Sequence, residues 1–280
     1  MKDSLIKKAL IVAFIVAFLT WIFYPIYFMV ATSFKDNGAA FRYPPEILFK
    51  PTLEGFVNAL ANPTAGQTYR AWGLYFFNST FLAMAGTALA LVLGLPVAFA
   101  LSHLPLKNKS RTAFSFLTLR MLPPVATLLP LYIMMQRLNL LGTYASMILV
   151  YAIFGLPWIV WLMWSFLGAI PHEIYEAAHM DGASNWRILR YVLLPIAKSG
   201  LIVSVVFAVL EAYNDFAVAF ILSSPATATV PVELGTLLSE RLALWNSIFA
   251  VGVLNLIPTF VIMVLVRKHW ARALSLGLVK

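Results

Sequence analysis

The chain has no cysteine among its 280 residues. That absence excludes disulfides, thiolate metal sites and a cysteine nucleophile together. Charge is also scarce: Asp, Glu, Lys and Arg make up 11% of the residues, where a soluble domain carries about 25%. No Gly-x-x-x-x-Gly-Lys-Ser/Thr run occurs, so the chain lacks the loop that cradles nucleotide phosphates in many ATPases. Internal repeats and low-complexity stretches are missing as well. In their place is apolar mass: 61% hydrophobic residues and a mean hydropathy of +0.86. One small globule cannot bury that much apolar surface, so lipid is the solvent for most of it. The length suits a single membrane domain over residues 1–280, without a large soluble domain beside it. The net charge of +9 does not indicate nucleic acid, because the basic residues lie in short clusters between apolar runs rather than in one stripe.

Six apolar runs are long enough to cross a hydrocarbon core of about 30 Å as helices. They lie near residues 9–30, 75–101, 113–135, 143–167, 200–222 and 245–266. Helix is the expected state for all of them, giving an all-α membrane protein, since a barrel would need short alternating strands. The first run follows Lys2, Lys7 and Lys8 as a signal peptide would, but it is longer than a signal core and lacks a good cleavage site, so it reads as a span. Prolines and glycines recur inside the runs: Gly94 and Pro96, Pro123, Pro124 and Pro130, Gly155 and Pro157, and Pro258. In a bundle, neighbouring helices re-satisfy the carbonyls that such residues free. The stretch from Phe34 to Trp72 reads as a long loop with a short helix near Leu53–Leu60.

The basic residues are asymmetric. Lys2, Lys7, Lys8, Lys107, Lys109, Arg111, Arg187, Arg190, Lys198, Arg267, Lys268, Arg272 and Lys280 fall on one side of the six runs, thirteen in all. Lys35, Arg42, Lys50, Arg70, Arg137 and Arg241 make only six on the other. The positive-inside rule then places both termini and the fourth-to-fifth loop in the cytoplasm.

That loop, residues 170–199, is too ordered in pattern to be a plain linker. Pro171 suits a first helical turn, and Glu173 and Glu176 fall early, where the helix dipole favours them. Gly182 can take the positive φ that ends a helix. Asp181 or Ser184 can cap a second helix running through Arg187 and Arg190 to Pro195. A helix–turn–helix projecting from the membrane is expected, with small Ala177, Ala178 and Ala183 where another protein can come close. His172, Glu173 and Glu176 also look like a damaged His-Glu-x-x-His zinc motif, but its second histidine is missing, and a polar docking surface is the better reading.

Glu176-Ala177-Ala178-x-x-Asp181-Gly182-Ala183, followed by Leu194-Pro195, resembles the EAA loop of ABC importer permeases. Other stretches resemble the carbohydrate branch, in particular the maltose-type second permease subunit. These are Tyr24-Pro25 with Thr32-Ser33-Phe34-Lys35, Asn78-Ser79-Thr80, Met121-Leu122-Pro123-Pro124, Tyr213-Asn214-Asp215-Phe216 and the tail Leu274 to Lys280. Ser199 and Leu189 depart from the usual proline and phenylalanine of the motif. The resemblance implies an inner-membrane permease subunit of an ATP-driven importer for a sugar, small glycan or polyol. It further implies a related second permease, two ATPase subunits that bind ATP and Mg, and an extracytoplasmic solute-binding protein. In that family the EAA loop is the part that sits in a cleft of the ATPase.

Four polar residues fall inside the runs: Arg120, Glu211, Asn214 and Asp215. Charges in a span usually face a cavity or a partner. They either line a solute path or gate, or form interhelix ion pairs such as Arg120 with Glu211. Trp21, Tyr24, Tyr27, Trp158, Trp161 and Trp164 either stack on sugar rings or serve packing and the interfacial belt. A self-contained transporter using Glu211 and Asp215 as a proton or sodium relay is the rival reading. An intramembrane enzyme finds no nucleophile–base or metal constellation to support it.

Overall fold

The computed structural model describes residues 2–40, 42–61, 72–239 and 244–277. Arg70, Arg241, Lys280 and the last residues of the tail lie outside them. Every regular element among the described residues is helical. In chain order they are α1 (Lys2–Ser33), α2 (Asn37–Ala40), α3 (Glu54–Ala61), α4 (Trp72–His103), α5 (Lys109–Leu119), α6 (Pro124–Arg137) and α7 (Tyr144–Gly168). Then come α8 (His172–Met180), α9 (Asn185–Ile188), a π-helical turn Leu189–Leu193, α10 (Leu194–Ile196), α11 (Lys198–Asn214), α12 (Ala217–Leu222), α13 (Val230–Ser239) and α14 (Trp245–Gly277).

Four stretches are long and apolar enough to cross a bilayer as single helices: Leu10–Ser33, Trp72–His103, Tyr144–Gly168 and Trp245–Lys268. A fifth arises if Asn185–Ile196 and Lys198–Asn214 are counted together, although they meet at 89°. Pro25, Pro96, Pro130, Pro157 and Pro258 all lie inside helices. The third apolar run, 113–135, is not one helix. It stops at Leu119, and a new helix begins at Pro124 after the extended Pro123. Proline lacks an N–H and disfavours helical geometry in the residue before it, so Pro123-Pro124 breaks this run while isolated prolines elsewhere are absorbed. The fifth run, 200–222, also breaks, at the extended Asp215.

The chain divides into two compact units, Met1–Trp72 with Leu234–Pro258, and Gly73–Glu233 with Thr259–Lys280. In the first unit, α1 carries its apolar window with none of it buried within the chain. A helix apolar all round and uncovered belongs against lipid or another span. The start of α14 is tied into this unit: the Trp245 N–H donates to Asn37 Oδ1 at 3.1 Å, Asn246 Nδ2 to the Lys35 carbonyl at 3.3 Å, and Phe28 meets Phe249 edge-on at 6.0 Å.

In the second unit α7 packs between α4, α5 and α11. Close approach of α4 to α7 depends on Gly86, where a Cβ would lie 2.6 Å from the Tyr151 Cβ. Small residues at such a crossing let two backbones come together, which is how helices associate where lipid removes the hydrophobic drive. Two apolar clusters follow from this packing. One gathers Leu82, Met135, Met147, Val150 and Leu222. The other gathers Phe99, Ile159, Met163, Leu167, Ile188, Leu189 and Leu193. The second cluster seats the loop between α7 and α11.

Candidate functional site: the helix–turn–helix loop and the half-buried polar knot

The loop after α7 folds as a helix–turn–helix. α8 is nine residues long and buries no side chain fully. Its inward stripe is Ile174, Tyr175 and Ala178, half-buried against the second cluster. Spacings of one and four residues put these three on one face, which leaves Glu173, Glu176, Ala177 and His179 outward. Of the three small residues expected to admit another protein, only Ala177 is open. Ala178 and Ala183 turn inward.

Gly182 ends α8 with φ +80. The Ala183 N–H donates to the Ala178 carbonyl at 3.1 Å and the Gly182 N–H to that of His179 at 3.0 Å. These two bonds form a Schellman closure, which satisfies carbonyls that the helix end would otherwise leave without partners. Ser184, rather than Asp181, caps the next helix: its Oγ accepts from the Arg187 N–H at 3.4 Å. Tyr175 Oη donates to Asn185 Oδ1 at 3.1 Å and clips the two helices together.

The second helix runs unbroken in direction from Asn185 to Ile196 through the π-turn, where the Leu194 N–H bonds back to the Leu189 carbonyl. Pro195 explains the wider turn. In an α-helix its ring would collide with the carbonyl four residues back, and one extra residue in the turn relieves this. Ile188, Leu189 and Leu193 are essentially fully buried. Burial of such a side chain is worth about 1.5–3 kcal/mol, so the three anchor this rod firmly to the bundle. A ring ladder adds a second attachment. His103 at the end of α4 stacks with His172 at 5.7 Å and contacts Tyr175 at 5.4 Å, and Tyr175 stacks on His179 at 5.9 Å. The sequence signalled the turn and left the cap open between Asp181 and Ser184, but did not show the inward stripe, the ladder or the π-turn.

The four polar residues of the runs are also resolved. Arg120, at the break between α5 and α6, forms an ion pair with Glu211 of α11. It also donates to the Phe154 carbonyl at 2.9 Å and lies over the Trp158 ring at 5.0 Å. Trp158 Nε1 donates to the other Glu211 oxygen at 2.6 Å and stacks on Phe207 at 5.1 Å. Trp158 is therefore committed to this knot, a role that its residue type did not reveal. Asp215 caps α12: its carboxylate accepts from the Ala219 N–H at 3.1 Å and from Tyr151 Oη at 3.3 Å. Asn214 is exposed and returns its amide to the Leu210 carbonyl at 2.8 Å. Glu211 and Asp215 line a cleft of about 50 Å³ with Tyr151, Phe154, Gly155, Ala208, Ala212 and Val218. That is room for a few waters, at ~10–15 Å³ each.

Residues 90–275, which include the loop, the knot and most of the last helix, match the family described as binding-protein-dependent transport system inner membrane component. The chain belongs to this family. As a member it is a multi-pass inner-membrane permease component. The permease is 31% identical to the inner membrane ABC transporter permease protein YcjP of Escherichia coli, over 94% of this chain and 93% of that one. It is 25% identical to the trehalose/maltose transport system permease protein MalG of Thermococcus litoralis, over 100% and 99%. It is 26% identical to the diacetylchitobiose uptake system permease protein NgcG of Streptomyces coelicolor, over 90% and 82%. Its fold matches a chain of a bacterial ABC transporter that imports the acidic polysaccharide alginate, with a TM-score of 0.78, 20% identity, and 96% and 98% coverage.

Proposed function

We propose that this permease is one transmembrane subunit of an ATP-driven importer for a carbohydrate, forming half of the translocation path and coupled to ATPase subunits through residues 170–199. The observation that carries the reading is the exposed edge of Glu176, Ala177, Asp181 and Gly182 on a helix pair anchored into the bundle. A projecting element with no chemistry of its own suits the transfer of a partner's movement into the membrane. α8 is clipped to the rod Asn185–Ile196, and the rod meets α11 at 89°. A push on α8 would therefore tilt α11, and with it Glu211 and the cleft. Relatives named for trehalose/maltose and diacetylchitobiose support a carbohydrate solute.

The same reading has both termini cytoplasmic and six crossings. The third crossing is assembled from α5 and α6 around the break, and the fifth from α11 and α12. A related second permease completes the path, a solute-binding protein delivers the solute outside, and ATP and Mg are held by the ATPase subunits. The cleft on this chain is then one wall of a larger passage. In the rival reading, an ion-coupled transporter, Glu211 and Asp215 carry protons or sodium. Both carboxylates already have partners, Arg120 with Trp158 for Glu211 and the α12 backbone for Asp215, which gives that reading little support.

Reversing charge at the exposed edge separates the two. Glu176→Lys is expected to abolish co-purification of the ATPase subunits and uptake together, while the permease remains folded in the membrane. Normal assembly with normal uptake would refute the docking role. Uptake by the purified chain in liposomes under an ion gradient alone would establish the rival.

A further inference from the structure

The two helices of the loop present chemically opposite faces. The outward face of α8 carries Glu173, Glu176 and, at its end, Asp181. The rod Asn185–Ile196 carries Arg187 and Arg190 outward, followed by Lys198, and no acidic residue. Neither arginine has an ion-pair partner among the described residues. Arg190 instead lies over the Tyr191 ring at 5.5 Å. Beside the arginines stand three large apolar side chains, Trp186, Tyr191 and Ile196, which are 60%, 67% and 54% exposed.

These residues form one stripe only because of the π-turn. Trp186 to Arg190 and Arg187 to Tyr191 are steps of four. Arg190 to Pro195 and Tyr191 to Ile196 are steps of five, which the wider turn brings back into line. The opposite stripe, Ile188, Leu189 and Leu193, is the buried one. The rod is therefore amphipathic twice over, with a core-facing stripe and an aromatic–basic outer stripe.

We infer that the rod Asn185–Ile196 lies in the membrane interface and binds anionic phospholipid headgroups through Arg187 and Arg190, with Trp186, Tyr191 and Ile196 inserted at the acyl boundary. Three observations select lipid over a protein partner. The rod is continuous with the apolar helix α11 and turns 89° from it, so a crossing helix along the membrane normal leaves the rod in the membrane plane. Tryptophan and tyrosine favour the headgroup level, with a wet end and an apolar end. Unpaired arginines match an anionic leaflet, whereas the acidic α8 would be repelled from it. Interface contact would give the loop a fulcrum: α8 free to be pushed, the rod held at a fixed depth.

The absence of cysteine permits a clean test. Trp186→Cys, Tyr191→Cys and Ile196→Cys, each bearing a nitroxide in the full chain, are reconstituted in nanodiscs of phosphatidylcholine with and without phosphatidylglycerol. Collision with oxygen and with a water-soluble nickel chelate reports depth, and Glu176→Cys on α8 is the aqueous reference. Labels at 186, 191 and 196 are expected ~5–10 Å inside the headgroup boundary, shielded from nickel. Enrichment of labelled phosphatidylglycerol beside position 191 is expected to fall about fivefold for each arginine removed, in Arg187→Gln and then Arg187→Gln with Arg190→Gln. Arg187→Lys with Arg190→Lys is expected to retain it, which separates charge from folding. Nickel access at 191 and 196 equal to that at 176 would overturn the inference. So would shielding that develops only when ATPase subunits are added, or enrichment indifferent to both arginines.

Discussion

Gly182 offers a substitution whose effect is confined to the backbone. Its φ of +80 lies in the left-handed region, and a Cβ built there meets nothing within 4 Å. Steric clash is thus absent, and any cost of Gly182→Ala comes from the conformation alone. An L-residue in the left-handed region costs about 1–2 kcal/mol. At about 1.4 kcal/mol per tenfold, this lowers the population of the closed turn by about 5–30-fold relative to relaxed alternatives. The turn sits at an exposed tip, so it relaxes locally and the bundle stays folded. If ATPase subunits dock on the loop as proposed and need the Schellman closure, the apparent affinity of the permease for them falls by that same factor. Titration of nanodisc-held permease with labelled ATPase subunit reads the affinity, and uptake in cells reads the consequence. Gly182→Asn should lose less, because asparagine tolerates this region, and Gly182→Val should lose more, because β-branching worsens it. Binding by the alanine and valine variants equal to that of the native chain would refute the argument that the closed turn is the docking shape.

Glu211→Gln leaves Arg120 in the bundle without its counter-charge. The expected cost is about 1–3 kcal/mol, below the 3–5 of a fully buried pair because the two side chains are 23% and 33% exposed. Thermal unfolding in detergent checks this, and Arg120→Met with Glu211→Leu should recover most of the loss. Asp215→Ala should cost about 1 kcal/mol through the lost cap of α12, and Asp215→Asn much less. Abolished uptake in a stably folded Asp215→Asn would instead mean that the charge itself is needed. Gly86→Val drives a side chain into Tyr151 at the α4–α7 crossing. It should destabilise by at least the ~1–3 kcal/mol of an overpacked core, seen as loss of monodisperse protein on extraction.

Much of the architecture was legible without coordinates because lipid imposes a coarse rule. Backbone groups in hydrocarbon must pair within their own helix, so run length and hydropathy alone locate the four long stretches Leu10–Ser33, Trp72–His103, Tyr144–Gly168 and Trp245–Lys268. The turn at Gly182 and a capped second helix were equally local, since positive φ and a Ser cap are properties of a few adjacent residues. The short helix Glu54–Ala61 was readable for the same reason. Hydropathy marks the third and fifth runs as apolar but does not show where their helices stop, because it is blind to backbone breaks. Pro123-Pro124 and the extended Asp215 interrupt the helix without making either stretch less apolar.

What one-dimensional order determines here is the solvent of each segment and the local geometry of its ends. Which polar group answers which is a matter of distance in space. The sequence offers the Arg120–Glu211 pair only as one reading beside a solute path; the ion pair forms across ninety-one positions, and Trp158 joins it only because α5, α7 and α11 converge. Two alanines of the loop face inward, and the outer stripe of the rod is continuous, for a similar reason. Helix phase relative to a neighbour, and the single extra residue of a π-turn, are decided by packing energy summed over many contacts. No single residue type announces that sum, so only the folded chain reveals it.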